Sequence, residues 1–291
     1  MLSRFQRPDA DFHVEIDRTA LHPGENLEAR ISLIANEEFF VRRASIELVC
    51  IETYVEKVIT THHRYGSQRS NREATLTQSR ARTIFMKDMT MRRALPYSTD
   101  ISFSLPPDAP LTAIGANVDS VQPGIVWTLT TSLDAANARD IRRSQEICVL
   151  KARAPGDAPS GTLVSETSTE RCILSLRMPS GRVRSGEMLE GVLRAQAIED
   201  FDVSEVRAEL IRVEAFGEAE QDIRVDVASL QSNVSLSAGE KRDWRFKMNV
   251  GEVRAPSMKT RNSSVKWLVA GILARRMRFD SRVVLEISVD I

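Results

Sequence analysis

The feature that most constrains this chain is that it contains itself twice. Near the end of its first half, Trp127, Leu133, Asp140, Arg142, Glu146, Ile147 and Val149 recur 140 positions later as Trp267, Leu273, Asp280, Arg282, Glu286, Ile287 and Val289. Earlier in each half, Gly24, Glu25, Leu27, Glu28, Val41, Glu47, Leu48 and Glu52 return at an offset of 162 as Gly186, Glu187, Leu189, Glu190, Val203, Glu209, Leu210 and Glu214. The blocks keep their order while the offset falls from 162 to 140, so the first copy carries a net 22 extra residues between Glu52 and Trp127. That places an enlarged loop there. Copies of this length are too long for solenoid repeats and suit a duplicated domain, and 291 residues is about twice a common domain size.

Inside each copy the pattern reads as strand. Phe12, Val14 and Ile16 alternate with His13 and Glu15, and Leu27, Ala29, Ile31 and Leu33 alternate with Glu28, Arg30 and Ser32. The second copy repeats this in Leu174, Leu176 and Met178, then in Leu189, Gly191, Leu193 and Ala195, and again in Val283, Leu285, Ile287 and Val289. A period of two buries one face and wets the other. Turn formers such as Pro23-Gly24, Ser180-Gly181, Ser185-Gly186 and Ala238-Gly239 separate the runs. Val265 to Met277 could be drawn as an apolar helix, but its counterpart Ile125 to Asn137 holds Trp127, Thr128, Thr130 and Thr131, so both are read as strands. The stretch Ala154-Pro155-Gly156-Asp157-Ala158-Pro159-Ser160-Gly161, followed by Ser165, Thr167, Ser168 and Thr169, favours turn and linker. The expected fold class is all-β, two tandem immunoglobulin-like antiparallel β-sandwich domains at 1–153 and 171–291, joined by a linker at 154–170.

These residues carry a family resemblance. His22-Pro23-Gly24-Glu25-Asn26-Leu27-Glu28-Ala29-Arg30-Ile31, with Val41 through Glu52 after it, resembles the opening of an arrestin-type domain, where a Pro-Gly-Glu or Ser-Gly-Glu turn precedes a strand. Gly124-Ile125-Val126-Trp127-Thr128-Leu129 and Ser144-Gln145-Glu146-Ile147-Cys148-Val149 resemble its last strands, and Phe103-Ser104-Leu105-Pro106 the strand leading into them. The resemblance covers nearly the whole chain in both copies. It implies an elongated pair of hinged sandwiches that bind other proteins through concave sheet faces and loop tips, a scaffold rather than an enzyme. Two departures narrow it. No tail follows the last expected strand, which ends at Ile291, and Pro106-Pro107-Asp108, the one Pro-Pro pair, lacks the tyrosine of a ligase-recruiting motif.

Chemistry-bearing motifs are scarce. Four His fall in no zinc-ligand spacing, and the adjacent His62 and His63 would point to opposite faces of a strand. No Gly-x-Ser-x-Gly elbow, phosphate-binding loop or dinucleotide fingerprint occurs, so no catalytic residue, cofactor or metal site is expected. Glu146 and Glu286 are expected to pair with cross-strand arginines. Cys50, Cys148 and Cys172 lie far apart in or beside apolar runs, which points to buried reduced thiols. Forty basic residues balance forty acidic ones, leaving no global field for nucleic acid. The N-terminus lacks the apolar stretch of a secretory signal, and no apolar run reaches the roughly 18 residues of a membrane span, so a cytoplasmic protein without an integral membrane segment is expected.

One segment stands out as a binding candidate. Between positions 62 and 82 five arginines oppose the single Glu73, and the candidate contacts are Arg64, Tyr65, Arg69, Arg72, Arg80 and Arg82. A basic loop of this kind suits a protein partner with an acidic or phosphorylated segment, a membrane protein among them, or peripheral contact with an anionic membrane surface. Two sandwiches on a hinge also offer sheet edges for strand addition. Two other classes stay open: a tandem-sandwich surface adhesin or carbohydrate-binding protein, which would need export and exposed aromatic rings, and an enzyme with a polar site the sequence does not display.

Overall fold

The computed structural model describes residues 6–62, 66–151, 161–276 and 278–291, with the side chains of 58–62 and 66–69 outside that description. The first half forms β1 (Ala10–Ile16), β2 (Ala20–Leu21), β3 (Asn26–Ala35), β4 (Phe39–His62), β5 (Gly66–Met91), β6 (Pro96–Ser104), β7 (Ala113–Ile114), β8 (Gly124–Ala135) and β9 (Ile141–Val149). The second forms β10 (Leu163–Ser168), β11 (Cys172–Met178), β12 (Arg182–Arg184), β13 (Met188–Ala197), β14 (Phe201–Phe216), β15 (Ala219–Leu236), β16 (Lys241–Asn249), β17 (Met258–Lys259), β18 (Ser263–Ala274) and β19 (Ser281–Asp290). The protein is all-β, and no helix long and apolar enough to cross a membrane occurs among the described residues.

The described residues divide into two compact units. The first draws on Met1–Thr53, Glu73–Ile114 and Gln122–Ala152, and the second on Tyr54–Arg72, Gly115–Val121 and Arg153–Ile291. In the first, the antiparallel sheet β1-β3-β6 is joined by a larger sheet ordered β2-β9-β8-β4-β5, with β7 beside β8. Period-two patterning explains the core. Leu27, Ala29, Ile31 and Leu33 of β3 are buried, as are Ala44, Ile46, Leu48 and Cys50 of β4, Trp127 and Leu129 of β8, and Ile147 and Val149 of β9. Each fully buried aliphatic or aromatic side chain contributes about 1.5–3 kcal/mol relative to exposure. The Trp127 indole N–H donates to the Pro110 carbonyl at 2.9 Å, so the largest core residue leaves no polar atom unmet.

The second unit repeats this plan with one additional strand, β10, at the edge of its smaller sheet. Its larger sheet runs β12-β19-β18-β14-β15, with β17 beside β18, and its smaller sheet runs β10-β11-β13-β16. Even the short parallel edge pairs correspond: Ala20 opposes Cys148 in the first unit, and Arg182 opposes Ser288 in the second. Trp267 takes the place of Trp127 and donates to the Ala255 carbonyl at 3.1 Å. The repeated Gly-Glu pair is a turn device. Gly24 and Gly186 sit at φ 88 and 78, a region closed to most side chains. The following glutamates fold back to accept the N–H of His22 at 2.8 Å and of Arg184 at 2.9 Å.

Several sequence expectations change in detail. Most of the extra residues of the first copy are strand rather than loop: β4 and β5 of its hairpin run 24 and 26 residues, against 16 and 18 in β14 and β15. Within the stretch expected as linker, Leu163–Ser168 form β10, which pairs with β11 from Leu163 opposite Met178 to Ser168 opposite Ile173. The last long strands stop early: β8 ends at Ala135 because Asn137 takes φ 60, and β18 ends at Ala274, where the Asp280 carboxylate accepts the Arg275 N–H at 3.1 Å.

Candidate functional site

Of the candidate arginines, Arg69, Arg72, Arg80 and Arg82 lie in β5, the edge of its sheet. Among the described strands β4 is its only partner, so β5 presents one row of backbone N–H and C=O groups away from the sheet. A strand forms here because Thr75, Thr77 and Thr83 are β-branched and alternate residues turn inward. Ala74, Leu76 and Gln78 are half-buried, then Ala81, Thr83 and Phe85. The inward register therefore changes phase between Gln78 and Ala81, the shift that one extra residue in a strand produces. Beyond it, Arg80, Arg82 and Ile84 point outward together. The Tyr97 hydroxyl donates to the Phe85 carbonyl at 2.8 Å, and the two rings stack at 6.3 Å, which fixes this stretch from the neighbouring β6.

Arg80 and Arg82 are both exposed, in the first unit, and neither forms an ion pair among the described residues. Arg82 Nη2 is 3.5 Å from Ser45 Oγ, which in turn meets Ser132 Oγ at 3.1 Å. Spaced two apart on one strand face, the two cations sit about 6.8 Å from each other along the strand. Burial pushes the nearby Cys50 thiol up to about 11, with the Arg80 charge pulling the other way, so Cys50 is a neutral core residue rather than a nucleophile. Arg72 is exposed and belongs to the second unit, where its neighbour Asn71 donates to Asp119 at 2.6 Å. Arg69 lies in β5 but its side chain is outside the described residues, as are Arg64 and Tyr65 altogether.

The structure also holds buried charge. In the second unit Glu214 has 0% side-chain exposure, and its Oε1 lies 2.6 Å from Arg212 Nε. That contact is too bent to be an aligned hydrogen bond, and the pair is held by charge. The other carboxylate oxygen accepts the Ala116 N–H at 2.7 Å, and the Arg212 guanidinium lies 5.6 Å from the Trp267 ring centre. On the opposite face of β14, Glu209 Oε1 accepts Arg207 Nε at 2.7 Å and lies 3.3 Å from Arg224, while Arg207 reaches Glu205 at 3.0 Å. Burial works against the Arg207 charge, yet its bonds to Glu209 and Glu205 hold its pKa above the ordinary guanidinium value. These carboxylates are bound by cations, an arrangement that organises a core. The one hint in the sequence was their recurrence, Glu209 for Glu47 and Glu214 for Glu52. Glu146 and Glu286, expected to pair with arginines, are exposed and form no ion pair among the described residues.

Among the described residues no three His, Cys, Asp or Glu side chains converge as metal ligands, and Cys50, Cys148 and Cys172 are free thiols. No protein-family model and no curated protein matches the chain.

Proposed function

We propose that this protein is a non-enzymatic, cytoplasmic scaffold of arrestin type that captures an extended acidic or phosphorylated segment of a partner protein along β5. The observation that carries this reading is the coincidence of a strand edge without a second partner strand and two guanidinium groups without an ion pair, Arg80 and Arg82 on alternate residues, among the described residues. A strand added to β5 donates and accepts backbone hydrogen bonds regardless of its sequence. Specificity then comes from side chains, and acidic groups two residues apart on an extended segment have the same spacing of about 6.8 Å as the two arginines. Each charge-assisted contact is worth more than a neutral one, and Arg engages carboxylate or phosphate in bidentate fashion.

The test uses the full chain. Affinity capture from the native cell, followed by mass spectrometry, is compared between the wild-type chain and the double variant Arg80→Glu/Arg82→Glu. The expected result is loss of partners rich in alternating acidic residues, with fluorescence and circular dichroism unchanged. Hydrogen exchange on the captured complex should add protection in β5. Equal capture by the variant, or protection only outside β5, sinks the assignment.

A further inference from the structure

A second charged surface lies wholly in the second unit, at the turn between β18 and β19. Two adjoining open cavities, of about 850 and 560 Å³, share Arg171, Arg275 and Arg278 in their walls, and Arg276 lines the smaller one. Beside them Phe279 is 97% exposed, and Ile198, whose N–H donates to the Arg171 carbonyl at 2.7 Å, is 50% exposed. Arg275, Arg276 and Arg278 form no side-chain ion pair among the described residues. Of the acids nearby, Glu170 is exposed in the wall of the larger cavity and forms no ion pair among the described residues, while the others are engaged. Glu199 pairs with Arg171 at 2.6 Å, Asp200 accepts the Ala238 N–H at 2.7 Å, Asp202 accepts the Ser235 hydroxyl at 2.6 Å, and Asp280 accepts the Arg275 N–H at 3.1 Å.

We infer that this turn docks the protein on the surface of an anionic lipid bilayer, with Arg275, Arg276 and Arg278 on headgroup phosphates and the Phe279 ring in the boundary with the acyl chains. An exposed phenyl ring among guanidinium groups is an amphipathic tip. Such a tip gains in two ways at an interface, since its long cationic stems can snorkel to the headgroups while the ring leaves water. A soluble acidic ligand would satisfy the arginines but give the ring nowhere to go. The neighbouring carboxylates offset much of the local charge, so the arginines alone give a weak pull and the ring must contribute. Loss of either element should therefore be felt. Each basic residue close to an anionic surface is worth about a fivefold change in partition, and withdrawing a phenyl ring from water roughly tenfold or more.

Co-sedimentation of the full chain with vesicles of phosphatidylcholine alone, or with about a third phosphatidylserine, tests this surface. The expected result is binding to the anionic vesicles only, reduced roughly tenfold by Phe279→Ser and at least about a hundredfold by Arg275→Glu/Arg276→Glu/Arg278→Glu. Phe279→Trp guards against an unfolded variant. Its emission should shift to the blue on anionic vesicles, a change readable above Trp127, Trp244 and Trp267, which are already buried. Inorganic phosphate, added as a competitor, should displace little. Absence of binding to anionic vesicles, binding that survives the arginine reversals, or capture of phosphate without vesicles each overturns the inference. The Arg80→Glu/Arg82→Glu chain should bind vesicles like the wild type, so failure here and failure of the β5 reading are separate results.

Discussion

The ion pair between Arg212 and Glu214 makes a quantitative prediction, because Glu214 is fully buried and Arg212 is largely withdrawn from solvent beside it. Removing one member of a buried pair costs about 3–5 kcal/mol, mainly because the survivor is left charged in a poor solvent. For Glu214→Gln the survivor is Arg212, whose side chain keeps 15% exposure and the Trp267 ring at 5.6 Å, while the amide oxygen can still accept the Ala116 N–H. The cost should fall near the lower end, about 3 kcal/mol. For Arg212→Met the survivor is a carboxylate with 0% side-chain exposure, so the cost should lie higher, about 4 kcal/mol. In Arg212→Met/Glu214→Gln neither charge is orphaned, and the double variant should lose no more than either single one. The coupling would then be at least about 4 kcal/mol, well beyond the roughly 0.5 kcal/mol within which independent sites add. Urea denaturation followed by tryptophan fluorescence gives the stabilities, with Trp244 and Trp267 both in the second unit. Hydrogen exchange of the β14 amides checks that the same unit is being read. Additive losses within about 0.5 kcal/mol would mean that the two residues do not depend on each other, and neither charge would then be held in the core by its partner.

Three further outcomes follow from the same structure. In the native protein at pH 8, Cys50 should resist iodoacetamide, because burial raises its thiol to about 11; alkylation at the rate of a free thiol, read by peptide mass spectrometry, would contradict the burial. Cys148, also raised by burial, should react slowly and faster than Cys50, since it is only half-buried. The hydrogen bond from Arg194 holds the Asp243 carboxyl below its ordinary 3.8, so its contribution is present above that value and is lost as pH falls through the lowered one. Asp243→Asn should flatten that part of the acid limb in a stability profile, and an unchanged profile would count against the pair.

Much of the fold was legible because it depends on backbone rules that leave a mark in residue type. Alternation at Leu27, Ala29, Ile31 and Leu33 and at Leu189, Leu193 and Ala195 gave the buried faces, and all seven are buried. The β4–β5 hairpin was hidden for a physical reason. Apart from Leu76 its inward residues Ala74, Gln78, Ala81 and Thr83 are small or polar, all five are only half-buried, and the phase change after Gln78 breaks the period on which the reading relies. By composition such a stretch looks like a loop. Buried charge was hidden by the opposite fault, since Glu209 and Glu214 lie in strands where a carboxylate ordinarily marks the wet face. The candidate site was thus located by charge alone, and its shape, an edge strand with outward arginines, came from pairing that no local pattern encodes.

The duplication turns that gap into a comparison. Cys50 opposes Trp127 in the first unit, and Arg212 opposes Trp267 in the second; Glu52 opposes Ile125, and Glu214 opposes Val265. The same place in the same sheet therefore holds a small neutral thiol in one copy and a guanidinium stacked on the tryptophan in the other. Cys50 is 3% exposed and behaves as a small hydrophobe, so Cys50→Val is nearly volume-conserving and should cost less than about 1.5 kcal/mol. The matching Arg212→Val orphans Glu214 and should cost at least about 3 kcal/mol. Equal losses at the two positions, measured by urea denaturation, would show that the copies use this place alike. Unequal ones, larger at Arg212, would show that the second copy depends on this charge to hold Glu214 in the core.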